Sequence, residues 1–309
     1  MGDLHLRERT PASRLDNYRE TSFEELAAIR DIALERKADA VFCTGDIFDD
    51  PAATRNPHSL VLQTIRMFKS FHCPVYSVIG NHDISYHRQD TIEKQPLGVL
   101  FESGALKKLD REVMHGIEVV GVHFDEKNTY ETLRLKKSGK SPLIAICHVL
   151  AAPEEADMFG ETIFGYNEMS EGSEVDCYVF GHFHNDQGII KTAGKSFVNL
   201  GAIARGALNS DVITRKVKLG LIEYDGLELN CSEILLPVRP VEEIFDLDKK
   251  KELQDREKEI EQFVASLAKN EIFENLSNLE EVIKKKNLEP KVKSRVIGYL
   301  NGRGAEIPQ

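Results

Sequence analysis

The stretch "YVFGHFHNDQG", residues 178–188, closes an apolar run with two histidines, His182 and His184, set two positions apart. Along a regular strand that spacing sends the rings to opposite faces, but at a strand end the chain turns and both can serve one site. Four other segments share the form, each placing possible cation ligands at a loop beside an apolar run. "DLH" supplies Asp3 and His5, "GDIFD" supplies Asp46 and Asp49, "GNHD" supplies Asn81, His82 and Asp83, and "CHV" supplies His148. Carboxylate, amide and imidazole donors without thiolate suit Mn2+, Fe or Zn2+ better than a soft-metal or structural zinc site. Taken singly, each segment has a plain reading: a polar pair for Asp3 and His5, a satisfied core histidine for His148, a simple turn for the others. In this order and at successive strand ends, where rigid strands aim adaptable loops, they point to one shared site.

The elements that must position these residues follow from periodicity. "SFEELAAIRDIALERK" has Phe23, Leu26, Ile29, Ile32 and Ala33 at helical spacing, with Ser22 placed as its cap. "PHSLVLQTIRMFKSF" predicts a second amphipathic helix, and "ADAVFCTGD" and "PVYSVIGNHD" predict short apolar strands. "IEVVGVHF", "PLIAICHV", "DCYVFGHFH", "SFVNLG" and "KLGLIEYDGLELNCSEILL" are strand-like by their Val/Ile/Leu content and flanking turn residues. Early strands separated by helices, followed by a strand-rich half, predict stacked sheets with helices outside. After "LPVRPVEEIFD" the chain becomes charged and helical, its last predicted helix having Pro290 near the start and Gly302 past the end. The reading is a catalytic domain over 1–236 and a helical region over 237–309.

Composition bounds the function classes. Hydrophobic content of 41% and charged content of 29% are those of an ordinary globular protein, and no run approaches the roughly 18 apolar residues of a membrane span. The N-terminus lacks the apolar stretch of a signal peptide, and Leu6 stands where a myristoylation signal wants Ser or Thr. Cys43, Cys73, Cys147, Cys177 and Cys231 form no C-x-x-C pair and read as reduced thiols of a cytoplasmic protein. The net charge of −11 argues mildly against a generic nucleic-acid module, and most of it falls before residue 242, among the candidate ligands.

The ordered set of motifs resembles the calcineurin-like metallophosphoesterase superfamily. "GDIFDDP" followed by a helix and "PVYSVIGNHD" resemble its SbcD-type DNA-repair nuclease branch, which includes viral relatives. The resemblance implies a four-layer α-β-β-α sandwich with a C-terminal helical appendage, and a centre of two divalent cations. Manganese is favoured, with Fe, Zn2+ or Mg2+ as alternatives. Two such cations acidify a bridging water, the nucleophile, and clamp the phosphoryl oxygens. By the family pattern Asp3, His5, Asp46 and His184 surround one cation; Asp46, Asn81, His148 and His182 surround the other, with Asp46 as the bridge. His82 is implied as general acid, a role to which the histidine side chain as a type is suited, and Asp49 as the group that orients it. Asp49 as a mere turn cap is the competing reading, and Asp83 reads as a local hydrogen-bonding group. Arg205, in "NLGAIARG", and His87 are candidate substrate contacts, Arg14 a lesser one, while His123 reads as structural.

The chain departs from the family in one respect: only Met1 and Gly2 precede Asp3, where a buried apolar strand is usual. That predicts Asp3 on a loose end and weakened occupancy of the first cation site. The leading reading is a phosphodiesterase acting on DNA as an exo- or endonuclease. A homodimer and an ABC-type (SMC-like) ATPase docking on the C-terminal helices are its implied partners, with no membrane. The alternatives are a phosphoesterase for a nucleotide, cyclic nucleotide or other small diester, and a non-catalytic scaffold built around the helical tail.

Overall fold

Alternation in the apolar run "LIAICH" decides how the layers stack. In the strand Leu143–His148, Ile144 and Ile146 enter one core cluster while Ala145 and Cys147 enter another on the opposite face. A strand apolar on both faces has to be covered on both, which makes this sheet an inner layer.

The computed structural model describes residues 1–158 and 161–247. Their main elements are α1 (Tyr18–Glu35), β1 (Val41–Cys43), α2 (His58–Lys69), β2 (Val75–Ser77), α3 (Pro96–Glu102), β3 (Lys107–Lys108), β4 (Arg111–Met114), β5 (Ile117–Val122) and β6 (Leu143–His148). There follow β7 (Ala151–Ala152), β8 (Ala156–Met158), β9 (Glu161–Gly165), β10 (Cys177–Gly181), β11 (Asp186–Thr192), β12 (Lys195–Leu200), β13 (Lys218–Tyr224) and β14 (Leu229–Leu235). One sheet runs β1-β2-β3, all parallel; the larger runs β11-β12-β10-β6-β5-β4, parallel except at its two edges. The hairpin β13-β14 and the small β7-β9-β8 sheet complete the set.

Three clusters separate four layers. Leu26, Ile29, Leu60 and Phe68 of the helices pack with Val75 and Ile79 against the smaller sheet. Tyr76, Val78, Val119, Ile144, Ile146 and Val198 fill the space between the sheets. Tyr178, Phe180 and Phe197 meet Leu133, Tyr166 and Met169 of two short helices, Tyr130–Leu133 and Tyr166–Ser170, on the far face. This is the α-β-β-α sandwich expected from the motifs. Met1–Asp246 forms one compact unit. The helical region expected over 237–309, and with it the suggested docking element, lies outside the described residues from 248 onward.

Two local expectations change. α1 starts a turn earlier than Ser22: Asn17 caps it by accepting from the Glu20 N–H, and Ser22 donates to the Tyr18 carbonyl within the helix. Tyr18 is 1% exposed, so its burial extends the apolar stripe beyond the first predicted residue. Asp3 is also not on a loose end. The Met1 amine donates to the Phe42 carbonyl, Thr44 N–H to the Met1 carbonyl, and His5 and Leu6 N–H to the Asp46 and Ile47 carbonyls. Ile203 and Ala204 N–H close on the carbonyls of Gly2 and Asp3 from the other side. Beside Met1 an apolar cavity of about 450 Å³ opens between the layers, lined by Phe42, Ile144, Val198, Leu219 and Ile222 among others.

All five cysteines are free thiols, Cys177 and Cys231 being hydrogen-bonded thiol to thiol at 3.5 Å with no disulfide between them. No helix among the described residues is long and apolar enough to cross a membrane.

Candidate metal centre

The candidate ligands stand on loops that leave the carboxyl ends of β1, β2, β6 and β10, and on the N-terminal segment laid beside β1. The loops approach so closely that two glycines are sterically required. A Cβ on Gly80 would lie 2.1 Å from Asp46 Oδ1, and one on Gly45, at φ +97°, would lie 2.5 Å from His148 Nδ1. Asp3, His5, Asp46 and His182 themselves adopt left-handed backbone (φ 50°, 43°, 51° and 80°). Asp and His enter that conformation more readily than most residues, and positions held in it are found often at functional sites.

The structure brings together all seven residues that the motifs single out as ligands. Donor atoms of Asp3, His5, Asp46 and His184 lie within 4.8 Å of one another, as do those of Asp46, His148 and His182. Asn81 joins the second group, its Oδ1 2.9 Å from His148 Nε2. Asp46 is common to both. Its Oδ2 is buried and has no hydrogen-bond partner, although His148 Nε2 and His5 Nε2 stand 3.4 and 3.7 Å away. A buried carboxylate oxygen left without a partner costs about 1–3 kcal/mol or more. A cation shared between the groups removes that cost, so these residues fit a two-cation centre.

The charges point the same way. Burial alone would raise the Asp46 carboxylate, but the imidazoles of His148, His5 and His82 hold it well below the usual range. Burial opposes charge on His148, yet the Asp46 carboxylate overrides it and pushes this imidazole up to about 9. Both ring nitrogens of His148 face oxygens, Thr44 O at 2.5 Å and Asn81 Oδ1 at 2.9 Å. His5, by contrast, is pushed down to about 3, chiefly by burial, and its Nε2 faces His184 Nε2 at 3.1 Å. Two imidazole nitrogens that close need a proton or a cation between them.

The ring of His82, expected as the general acid, lies 4.7 Å from that of His5. Its partner differs in kind. Nδ1 of His82 donates to the backbone carbonyl of Asp49 at 2.7 Å, whereas the Asp49 carboxylate turns to Arg7 at 3.1 Å and toward His5 Nδ1 at 3.6 Å. Asp49→Ala, which leaves that carbonyl in place, should keep the His82 ring where it is and cost less than about tenfold in turnover, even though the carboxylate lies within 4.8 Å of ring nitrogens of His5 and His82. Steady-state kinetics beside wild type checks this.

Arg205 is corrected as a substrate contact. It is 4% exposed, and its guanidinium is committed to Glu25 at 2.9 Å and the Arg239 carbonyl at 2.7 Å. Arg14 is likewise buried, gripping Asp16 and the Arg205 carbonyl. His87 lies at the rim, paired with Glu126 at 2.6 Å and packed edge-on against Phe124, whose ring in turn faces His182. His123 is structural, its Nδ1 accepting the Ile79 N–H.

Asp83 does more than the local hydrogen bonding expected of it, and motif reading passed over three further neighbours, Glu161, Arg7 and Tyr86. The Asp83 carboxylate accepts the N–H groups of Asp46, Ile47, Phe48 and Gly80, fastening two ligand loops together. Glu161 reaches His182, Oε2 to Nε2, at 2.9 Å. Arg7, two positions past His5, faces the site beside Asp49. Tyr86 extends from the loop after Asp83 with 91% of its surface exposed.

The profile of the calcineurin-like phosphoesterase family matches residues 1–186. The DNA double-strand break repair protein Mre11 of Archaeoglobus fulgidus is 24% identical over 217 residues, covering 64% of this chain and 48% of the relative. The chain thus spans about half the length of the curated relative it matches. Among solved structures, the protein TT1561 of Thermus thermophilus is 12% identical over 69% of this chain and 93% of its own, with a TM-score of 0.43. A dimetal phosphatase from Danio rerio is 12% identical over 65% and 86%, with a TM-score of 0.44.

Proposed function

Because the chain belongs to the calcineurin-like phosphoesterase family, a family of metal-dependent hydrolases, we propose that it is a two-metal phosphodiesterase acting on DNA, as an exo- or endonuclease of the SbcD type. The observation that carries the two-cation reading is Asp46, shared by both donor groups, whose buried Oδ2 accepts no hydrogen bond. The DNA reading draws on the distant likeness to the Archaeoglobus repair protein.

Asp3, His5, Asp46 and His184 would hold one cation; Asp46, Asn81, His148 and His182 the other, with Mn2+ the preferred ion. When bound, the cations supply an acidified water and neutralise charge on the phosphoryl oxygens. The protein's own residues do the rest. With Nδ1 of His82 donating to the Asp49 carbonyl, Nε2 is the nitrogen free to meet substrate. As the P–O bond breaks, the proton on Nε2 passes to the leaving oxygen, which departs as an alcohol. Arg7 adds positive charge on the same side, and the exposed ring of Tyr86 offers a face on which an unpaired base stacks.

The test is hydrolysis of linear DNA and of bis-p-nitrophenyl phosphate with Mn2+, using His82→Ala as control. The variant should bind Mn2+ as wild type does and lose about 10²–10⁴-fold in turnover of DNA, the usual worth of a positioned proton donor. Cleavage of the small ester alone would replace the DNA reading with that of a small-diester phosphoesterase. Full activity in His82→Ala would remove this residue from the mechanism.

A further inference from the structure

We infer that Glu161 is a positioning residue that fixes the ring of His182 through its Nε2–H, leaving Nδ1 as the nitrogen that faces the cation. The inference rests on the metal-centre reading above and deepens it.

An imidazole that binds a cation or transfers a proton presents one nitrogen in a defined state most reliably when its other nitrogen is held, as it is in His148, His82 and His182. For two of them the holder is main chain: Thr44 O for His148 Nδ1 and Asp49 O for His82 Nδ1. Those acceptors come with the fold and no side-chain substitution removes them. His182 differs. Its Nε2 is bound to a side-chain carboxylate, Glu161 Oε2 at 2.9 Å, so its ring alone of these three depends on the identity of a residue elsewhere in the chain.

His182 also has more need of an external hold. It follows β10 at φ 80°, and its ring lies between those of His148 and Phe124, at 4.9 and 5.5 Å, where the carboxylate of Glu161 is its hydrogen-bond acceptor. Glu161 is delivered by an excursion between the two ligand strands β6 and β10. β9 pairs with β7 at Ala151 and Ala152 and antiparallel to β8, placing Glu161 opposite Met158 at the hairpin's far end. Ile163 and Phe164 are buried, and the Phe164 N–H donates to Leu150 O at 2.9 Å, so the hairpin's base is fixed to the segment that follows His148.

The Glu161 side chain is 48% exposed. A hydrogen-bonded pair so open to water adds little to fold stability. Its loss should therefore appear in the state of the ring and in metal affinity, with the melting temperature unchanged.

Two measurements on the full chain test this. In metal-free protein, long-range ¹H–¹⁵N spectra of the histidine rings, with His182 assigned by its absence in His182→Gln, should show His182 protonated at Nε2. Glu161→Ala should convert that signal to a mixture of tautomers, and Glu161→Gln, whose amide oxygen still accepts, should retain it. In calorimetric titration with Mn2+ alone, Glu161→Ala should weaken one of two sites by about 10–100-fold, the usual cost of losing such a partner, with the other site unchanged. Glu161→Gln should stay near wild type. Unchanged tautomer and unchanged affinities in Glu161→Ala would overturn the inference. If wild type takes up no Mn2+, the metal-centre reading fails by itself, and the ring spectra alone then decide whether Glu161 fixes His182.

Discussion

Asp46→Ala is expected to lose both tight Mn2+ sites at once and to reduce phosphodiester hydrolysis at least about a thousandfold. The size follows from what the side chain joins. Asp46 alone belongs to both donor groups, so its removal takes one carboxylate from each and the bridge between them. Charge neutralisation by a cation pair is worth several kcal/mol at the transition state, and each 1.36 kcal/mol is tenfold in rate. Asp3→Ala makes the informative comparison, because Asp3 contributes to one group only and its Oδ1 is already engaged by the His182 N–H at 3.0 Å. It should weaken one site and spare the other. Calorimetry with Mn2+ separates the outcomes: two sites lost for Asp46→Ala, one for Asp3→Ala. Two tight sites surviving in Asp46→Ala would rule out a shared carboxylate, and with it the mechanism proposed here.

Five of the seven donors were legible because each ends or closely follows an apolar strand whose length and Val/Ile/Leu content mark it in the sequence, while Asp3 and His5 were legible only by their place in the ordered set of motifs. Asp46 comes three residues after Cys43, and His182 directly after Gly181. In a parallel layered fold that local spacing is enough to predict convergence. What escaped were relations that depend on distant partners. Nothing near "NLGAIARG" reveals that Arg205 will be buried against Glu25, 180 positions earlier. Asp49 was read by its carboxylate, whereas its backbone carbonyl holds His82, and every residue type has that carbonyl. Glu161 sits in no motif, reaching the site only because a hairpin carries it there. The helix start at Asn17 was hidden because Ser22, an equally good cap by type, stands at the head of the apolar periodicity.

Asp83→Ala should destabilise the metal-free protein by roughly 3 kcal/mol, although Asp83 belongs to neither candidate cation group. Its carboxylate, 1% exposed, accepts four N–H groups: Ile47 and Phe48 at Oδ1 (3.0 and 3.3 Å), Asp46 and Gly80 at Oδ2 (both 2.9 Å). Hydrogen bonds to a charged acceptor are worth about 1.5–3 kcal/mol each, and donors left buried without a partner cost about as much. Against that total stands the expense of the charge itself. Burial, and then the nearby Asp46 carboxylate, push Asp83 up to about 7, and alanine relieves both. The donors outnumber the charge they surround, so the balance remains a loss. Asparagine is no remedy, since its NH₂ replaces one oxygen and meets two N–H donors head-on; Asp83→Asn should fall nearer to alanine than to wild type. For a unit of this size about 3 kcal/mol lowers the melting temperature by roughly 6–12 °C, measurable by calorimetry in EDTA. Because the four N–H groups belong to the loops that carry Asp46 and Asn81, Mn2+ affinity should fall together with stability. A variant that melted with wild type would mean the two ligand loops hold their positions without this clasp, and the placement of Asp46 would then need another cause.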